Sequence, residues 1–268
     1  MIATNPHRDV WIDVDGIALH HVDHGGNGAA IVLLHGVTGH AGVWSAVAPQ
    51  LTDLGHVRAL DLRGMGDSGW HAGLDYRTEQ HARDVLAILD ALDVAEASIV
   101  GSSWGALVGI AVAHAVPARV ARLAIVDVEP SFAQTETDVP PRPRSFASLA
   151  DVVAAERVNN PHAPEWLLHT IAANGTRPGH DGTRVPKHDP FFFTRWPFRS
   201  DDWWGALPEI TCPTLVVHAG ASFVRREVTE QMAVTIPKAT HVEIPDSTHV
   251  VPVDQPDALV SVLRDAWS

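Results

Sequence analysis

From Val10 to Val22 apolar and polar positions alternate on either side of Asp15-Gly16. An Asp-Gly pair supplies the positive φ of a tight turn, so the segment predicts a β-hairpin with strands Val10 to Asp13 and Ile17 to Val22. Ala30 to Leu34 is uninterrupted apolar sequence, which suits a strand buried on both faces, as in a parallel sheet. His56 to Leu62 predicts a further strand. Next, Ala82, Val85, Leu86, Leu89 and Leu92 recur at helical spacing, with Glu79, Arg83, Asp84 and Asp90 on the opposite face. Ala97 to Val100 reads as a strand, Ala106 to Ala115 as a small-residue helix stopped by Pro117, and Val120 to Val128 as a strand.

The pattern then breaks. Residues 130–205 carry many prolines, arginines and aromatics and show no strand alternation. Short helical pieces, Leu149 to Arg157 and Glu165 to Ala172, lie between Pro140-Pro141, Pro143, Pro161, Pro164, Pro178, Pro186 and Pro190. This segment predicts an inserted helical subdomain. Alternation returns with a strand at Pro213 to Ala219, a helix at Arg225 to Val234, a strand at Thr240 to Ile244 and a helix at Pro256 to Trp267. Strands and helices in alternation predict an α/β fold, a mostly parallel sheet with helices on both faces.

Composition narrows the class. Of 268 residues, 46% are hydrophobic, enough for a large core. The net charge of −13 repels phosphate backbones and anionic lipid, so neither nucleic acid nor a membrane surface is an expected partner. Cys212 is the one cysteine, which excludes an internal disulfide and a cysteine-based zinc site. Met1 to His7 has no apolar targeting core, and no stretch reaches the ~18 apolar residues of a membrane span. A soluble, cytoplasmic protein is expected, with homodimerisation left open.

The strongest chemical signal is Gly101-x-Ser103-x-Gly105 between a strand and a helix. On such a turn a serine hydroxyl projects from the sheet's C-terminal edge, and the helix N-terminus favours negative charge developing there. Asp246-Ser247-Thr248-His249 follows the last strand and offers a base that only tertiary folding can bring to Ser103.

In order along the chain stand His35-Gly36, Asp61-Leu62-Arg63-Gly64-Met65-Gly66-Asp67-Ser68, the Ser103 turn, and Ser247-Thr248-His249 with Pro256 downstream. Together they resemble the α/β-hydrolase fold family over essentially the whole chain. The resemblance implies an eight-stranded-type sheet, a core of residues 1–129 and 206–268, and a helical cap at 130–205. It implies Ser103 as nucleophile, His249 as base, and the backbone amides of Val37 and Trp104 as oxyanion hole. Serine at 103 favours the serine hydrolases over the family's epoxide hydrolases and haloalkane dehalogenases, which use Asp there.

The acid departs from the common pattern. It usually follows the strand placed here at Pro213 to Ala219, but that loop reads Gly220-Ala221-Ser222-Phe223-Val224, with Ala221 at the expected position. Some members carry the acid after the preceding strand, at the spacing Asp127 has from Ser103. Asp127 is therefore the expected acid, Glu129 the reserve, and Glu227 the next to test.

Other signals are weaker. Gly64-Met65-Gly66-Asp67-Ser68-Gly69 matches a dinucleotide fingerprint, but no helix opens there, so no nicotinamide or other cofactor is expected. His20-His21-Val22-Asp23-His24 resembles a metal motif, yet adjacent strand residues point to opposite faces. A partly exposed edge strand is expected instead, and no metal. Cys212 reads as a small buried residue. Phe191 to Trp204 is crowded with aromatics that pack the cap, and Trp196 is the best candidate to line a substrate pocket. Residues 130–205 hold 8 Lys/Arg against 9 Asp/Glu, far less acidic than the rest, which would tolerate an anionic substrate. The expected function is hydrolysis of a small, apolar carboxylic ester or lactone. The alternatives are carbon–carbon cleavage of a vinylogous diketone and, given Ala221, a ligand-binding member without catalysis.

Overall fold

The computed structural model describes residues 7–132 and 134–267. Met1 to Pro6, most of the segment read for targeting signals, lie outside them. Strands β1 (Arg8–Val14) and β2 (Ile17–Gly25) form the hairpin, turned by Asp15 and Gly16 with φ of 53° and 79°. Then come β3 (Ala30–Leu34), β4 (His56–Leu60), α1 (Thr78–Ala91), β5 (Ala97–Ser102), α2 (Trp104–Ala115) and β6 (Val120–Val126). Residues 130–205 contribute α3 (Leu149–Asn159), α4 (Glu165–Asn174), β7 (Thr176–Pro178) and β8 (Arg184–Pro186). The chain closes with β9 (Thr214–Ala219), α5 (Arg226–Thr235), β10 (Ala239–Ile244), α6 (Val251–Asp254) and α7 (Pro256–Trp267).

Eight strands form one sheet in the order β1-β2-β4-β3-β5-β6-β9-β10. β2 runs antiparallel to β1 and β4, and every pair from β4 to β10 is parallel. Alternation within β3 divides the core. Val32 and Leu34 pack with Val85, Leu107 and Ile110 of α1 and α2, while Ile31 and Leu33 pack with Leu259 and Leu263 of α7. This is why β3 is apolar throughout: both faces of the sheet are covered. α2 is apolar all round for a related reason, since ten of its twelve residues are buried.

Several expectations need correction. β2 is not an edge strand; β1 covers it, and His20 and His21 are only 3% and 1% exposed. The strands read to Leu62 and Val128 end at Leu60 and Val126, and α2 starts at Trp104 rather than Ala106. Residues 130–205 are not without strands: β7 and β8 pair antiparallel over three residues each. The segment leaves the sheet after β6 and returns before β9, and Ser131 bridges Asp202 near its two ends. Val152, Leu167 and Leu168 join the α7-side cluster, and Phe192, Trp196 and Phe198 the α2-side cluster.

Candidate active site

The turn between β5 and α2 places Ser103 at φ 54° and ψ −124°. Such a conformation costs a non-glycine residue about 1–3 kcal/mol and holds only where the surroundings fix it. Two hydrogen bonds fix it: the Ser103 amide donates to Val126 O (2.9 Å), and the Ala106 amide to Ser103 O (2.9 Å). The flanking glycines are steric necessities. A Cβ on Gly101 would stand 2.3 Å from Gly105 O, and one on Gly105 2.3 Å from Leu34 O.

The Ser103 hydroxyl donates to His249 Nε2 at 2.9 Å. His249 Nδ1–H donates to Asp127 Oδ2 at 2.7 Å. His249 sits in the loop between β10 and α6, tied down where the Thr248 amide donates to Asp254 (2.8 Å) and Ser247 O accepts from Ala221 (2.8 Å). Asp127, just past β6, is 0% exposed and has φ 51°. Its amide extends the sheet ladder to Val217 O (2.8 Å). Among the described residues its carboxylate has two donors besides His249: the Ala219 amide on Oδ1 (2.9 Å) and the Ser222 hydroxyl on Oδ2 (2.5 Å). A buried carboxylate needs such partners, because each lone pair lost to water costs free energy unless a donor replaces it.

Glu129 is occupied elsewhere. It accepts from Arg225 Nε (2.9 Å), Nη2 (2.7 Å) and the Arg225 amide (3.1 Å), and this guanidinium lowers its pKa. The carboxylate bonded to His249 is that of Asp127, and Glu129 faces Arg225 instead. Glu227 lies exposed on α5.

After β3, Gly36 packs against Ser103; a Cβ there would be 3.0 Å from Ser103 Cβ. The next amide, of Val37, and that of Trp104 at the start of α2 donate to no group among the described residues. His35 braces this loop. Its Nδ1–H donates to Gly36 O (2.7 Å), its Nε2 accepts the Leu62 amide (3.0 Å), and burial lowers its pKa, favouring the neutral ring both bonds require. The Trp104 indole is anchored by Thr78 Oγ1 (2.8 Å) and by His81, edge-on at 4.7 Å.

The glycine fingerprint is explained by Asp61. Its carboxylate accepts the Ala41 amide (2.5 Å), the Asp67 amide (2.7 Å) and His20 Nδ1–H (2.7 Å), and a Cβ on Gly66 would collide with it at 2.2 Å. His20, Asp61 and Asp67 offer ligand atoms within 4.8 Å of one another. Lys187 already sits on both oxygens of Asp67 at 2.7 Å, so a cation balances that corner.

Trp196 is buried. Its indole donates to Phe192 O (3.1 Å), its ring stacks on Phe198 at 5.7 Å, and the guanidinia of Arg142 and Arg199 lie 4.8 Å and 5.1 Å from its centre. Ser222, Phe223 and Arg142 were missed in the sequence. Phe223, 74% exposed, lies 4.4 Å from the His249 ring. The signal available for it was an aromatic in the loop where an acid was sought.

The alpha/beta hydrolase fold family matches residues 29–176, more than half of the chain, and the chain belongs to that family. It is 27% identical to the esterase Rv0045c of Mycobacterium tuberculosis over 90% of this chain and 83% of the esterase. It is 32% identical to a haloalkane dehalogenase of Mesorhizobium japonicum over 54% of this chain, and spans about half (46%) of that relative. Identity to the N-formylmaleamate deformylase of Pseudomonas putida is 34%, over 43% of each chain. Among solved structures, a thioesterase domain from the curacin biosynthetic pathway superposes with a TM-score of 0.85 at 21% identity, covering 97% of this chain and all of that one. That likeness is one of fold. Among the described residues no helix is long and apolar enough to cross a membrane.

Proposed function

We propose that the protein is a serine hydrolase that cleaves a small carboxylic ester or lactone through an acyl-enzyme. The observation that carries this is the unbroken hydrogen-bonded chain from Ser103 through His249 to Asp127. Ser103 Oγ attacks the carbonyl while His249 Nε2 takes its proton. Asp127 holds Nδ1–H and so presents the correct tautomer. The oxyanion of the tetrahedral intermediate is received by the amides of Val37 and Trp104, aided by the N-terminus of α2. Collapse expels the alcohol, which takes the proton from His249. Water, deprotonated by the same imidazole, then releases the acid. The esterase similarity over most of the chain supports the ester over the carbon–carbon alternative, and an anion on His249 removes the motive for a non-catalytic reading.

On the same proposal residues 130–205 act as a cap, with Trp196 backing the pocket wall. No metal or organic cofactor takes part, and the protein works in the cytoplasm without nucleic acid or membrane, with homodimerisation open. The test is Ser103→Ala together with an organophosphonate probe. Turnover of short-chain esters should fall by at least about 10³-fold with little change in Tm, and mass spectrometry should find the probe on Ser103. A variant keeping a tenth of the wild-type rate would end the proposal.

A further inference from the structure

Arg142 comes from the proline-rich stretch before α3 and reaches the loop that follows β3. Its Nη1 donates to Thr38 Oγ1, and the Thr38 hydroxyl donates in turn to Val37 O at 2.7 Å. Thr38 immediately follows the residue whose amide faces the oxyanion, and it is held at φ 58°. The guanidinium is thereby tied to the loop that carries the Val37 amide. Its Cζ lies over the Trp196 ring, 4.8 Å from the ring centre.

A guanidinium carries five N–H donors, and only the one to Thr38 meets an acceptor among the described residues. The side chain is open to solvent, yet the protein crowded round it lowers its pKa. Two titratable groups share its surroundings: Glu156 of α3, whose carboxyl pKa is raised by burial, and His188, whose pKa is lowered first by burial and further by Arg142 itself. Neither closes an ion pair on the guanidinium among the described residues. A guanidinium with free donors, held on the loop that carries the Val37 amide, suits an anionic oxygen ligand, and a carboxylate can meet it in two parallel hydrogen bonds.

We infer that Arg142 determines specificity by receiving a carboxylate on the acyl part of the substrate, a few bonds from the scissile carbonyl. The substrate class is then the half-ester of a short dicarboxylic acid rather than an apolar ester. Placing the anchor on the acyl side keeps the group held through both acylation and deacylation. This rests on the serine hydrolase proposal.

The test compares 4-nitrophenyl hemiglutarate with 4-nitrophenyl valerate, which has the same chain length and no charge. Wild type should favour the hemiglutarate in kcat/KM. Arg142→Gln should lower that preference roughly tenfold to a hundredfold, mainly through KM, as expected for loss of a charge-assisted pair. Arg142→Lys should fall between. A wild type that favours valerate, or an Arg142→Gln that lowers kcat equally on both esters, overturns the inference, the latter making Arg142 a brace for Thr38. A second arm needs no turnover: calorimetric titration of Ser103→Ala with glutarate and with glutaramide. Glutarate should bind more tightly, and adding Arg142→Gln should abolish the difference; no preference, or one that survives, overturns the inference. Failure of the hydrolase proposal reads differently, as absence of turnover and of Ser103 labelling.

Discussion

β6 and β9 are paired neighbours ending at the same sheet edge, yet the loops that leave them carry opposite chemistry. The β6 loop holds two carboxylates, Asp127 and Glu129. The end of β9 and the loop after it, where the acid commonly stands in this family, present donors instead: the Ala219 amide and Ser222 hydroxyl to Asp127, and Arg225 to Glu129. The imidazole meets its anion from the β6 side, through Asp127. A loop without the acid still has work to do, since a wholly buried carboxylate needs its lone pairs filled.

The sharpest way to break the contrast is Asp127→Asn. Asn tolerates the left-handed conformation at φ 51°, so the backbone should hold while the tautomer is lost. We expect kcat to fall about 10³–10⁴-fold with little change in KM, measured by steady-state kinetics. Adding Ala221→Asp to that variant moves the anion to the β9 loop. Recovery of at least about tenfold in kcat is expected, and no recovery would mean the two strands are not interchangeable here. Ser222→Ala removes one donor from Asp127 and should cost about tenfold in kcat, through an acid less well fixed. Glu129→Gln should have the smallest effect, a few-fold at most in kcat. Arg225 depresses the pKa of Glu129, so the pair stabilises the fold above the ordinary carboxylate range, and this is lost as pH falls through the lowered folded-state pKa. The Tm gap between wild type and Glu129→Gln should therefore close on acidification, as calorimetry across pH would show.

What the sequence disclosed follows from how local each signal is. β3 and α7 begin and end where their apolar runs do, because periodicity along the chain reports burial directly. The Ser103 turn was legible because strand, glycines and helix are contiguous. β7 and β8 were not, since each has three residues and ends at Pro178 or Pro186. The burial of His20 and His21 depends on β1 lying alongside, which no run within β2 reports. Ser222 and Arg142 owe their places to partners 95 and 104 residues away. Asp127 was legible by its resemblance-based spacing, while the donors that fill its carboxylate were not.

The bond from the Ala219 amide to Asp127 Oδ1 has a historical consequence. The carboxylate bonded to His249 also ties the end of β9 to the end of β6, so the candidate site and the sheet share one residue. A lineage moving its acid to position 221 could replace Asp127 directly only by a residue that still accepts from the Ala219 amide, such as Asn; an apolar residue there would strand that amide.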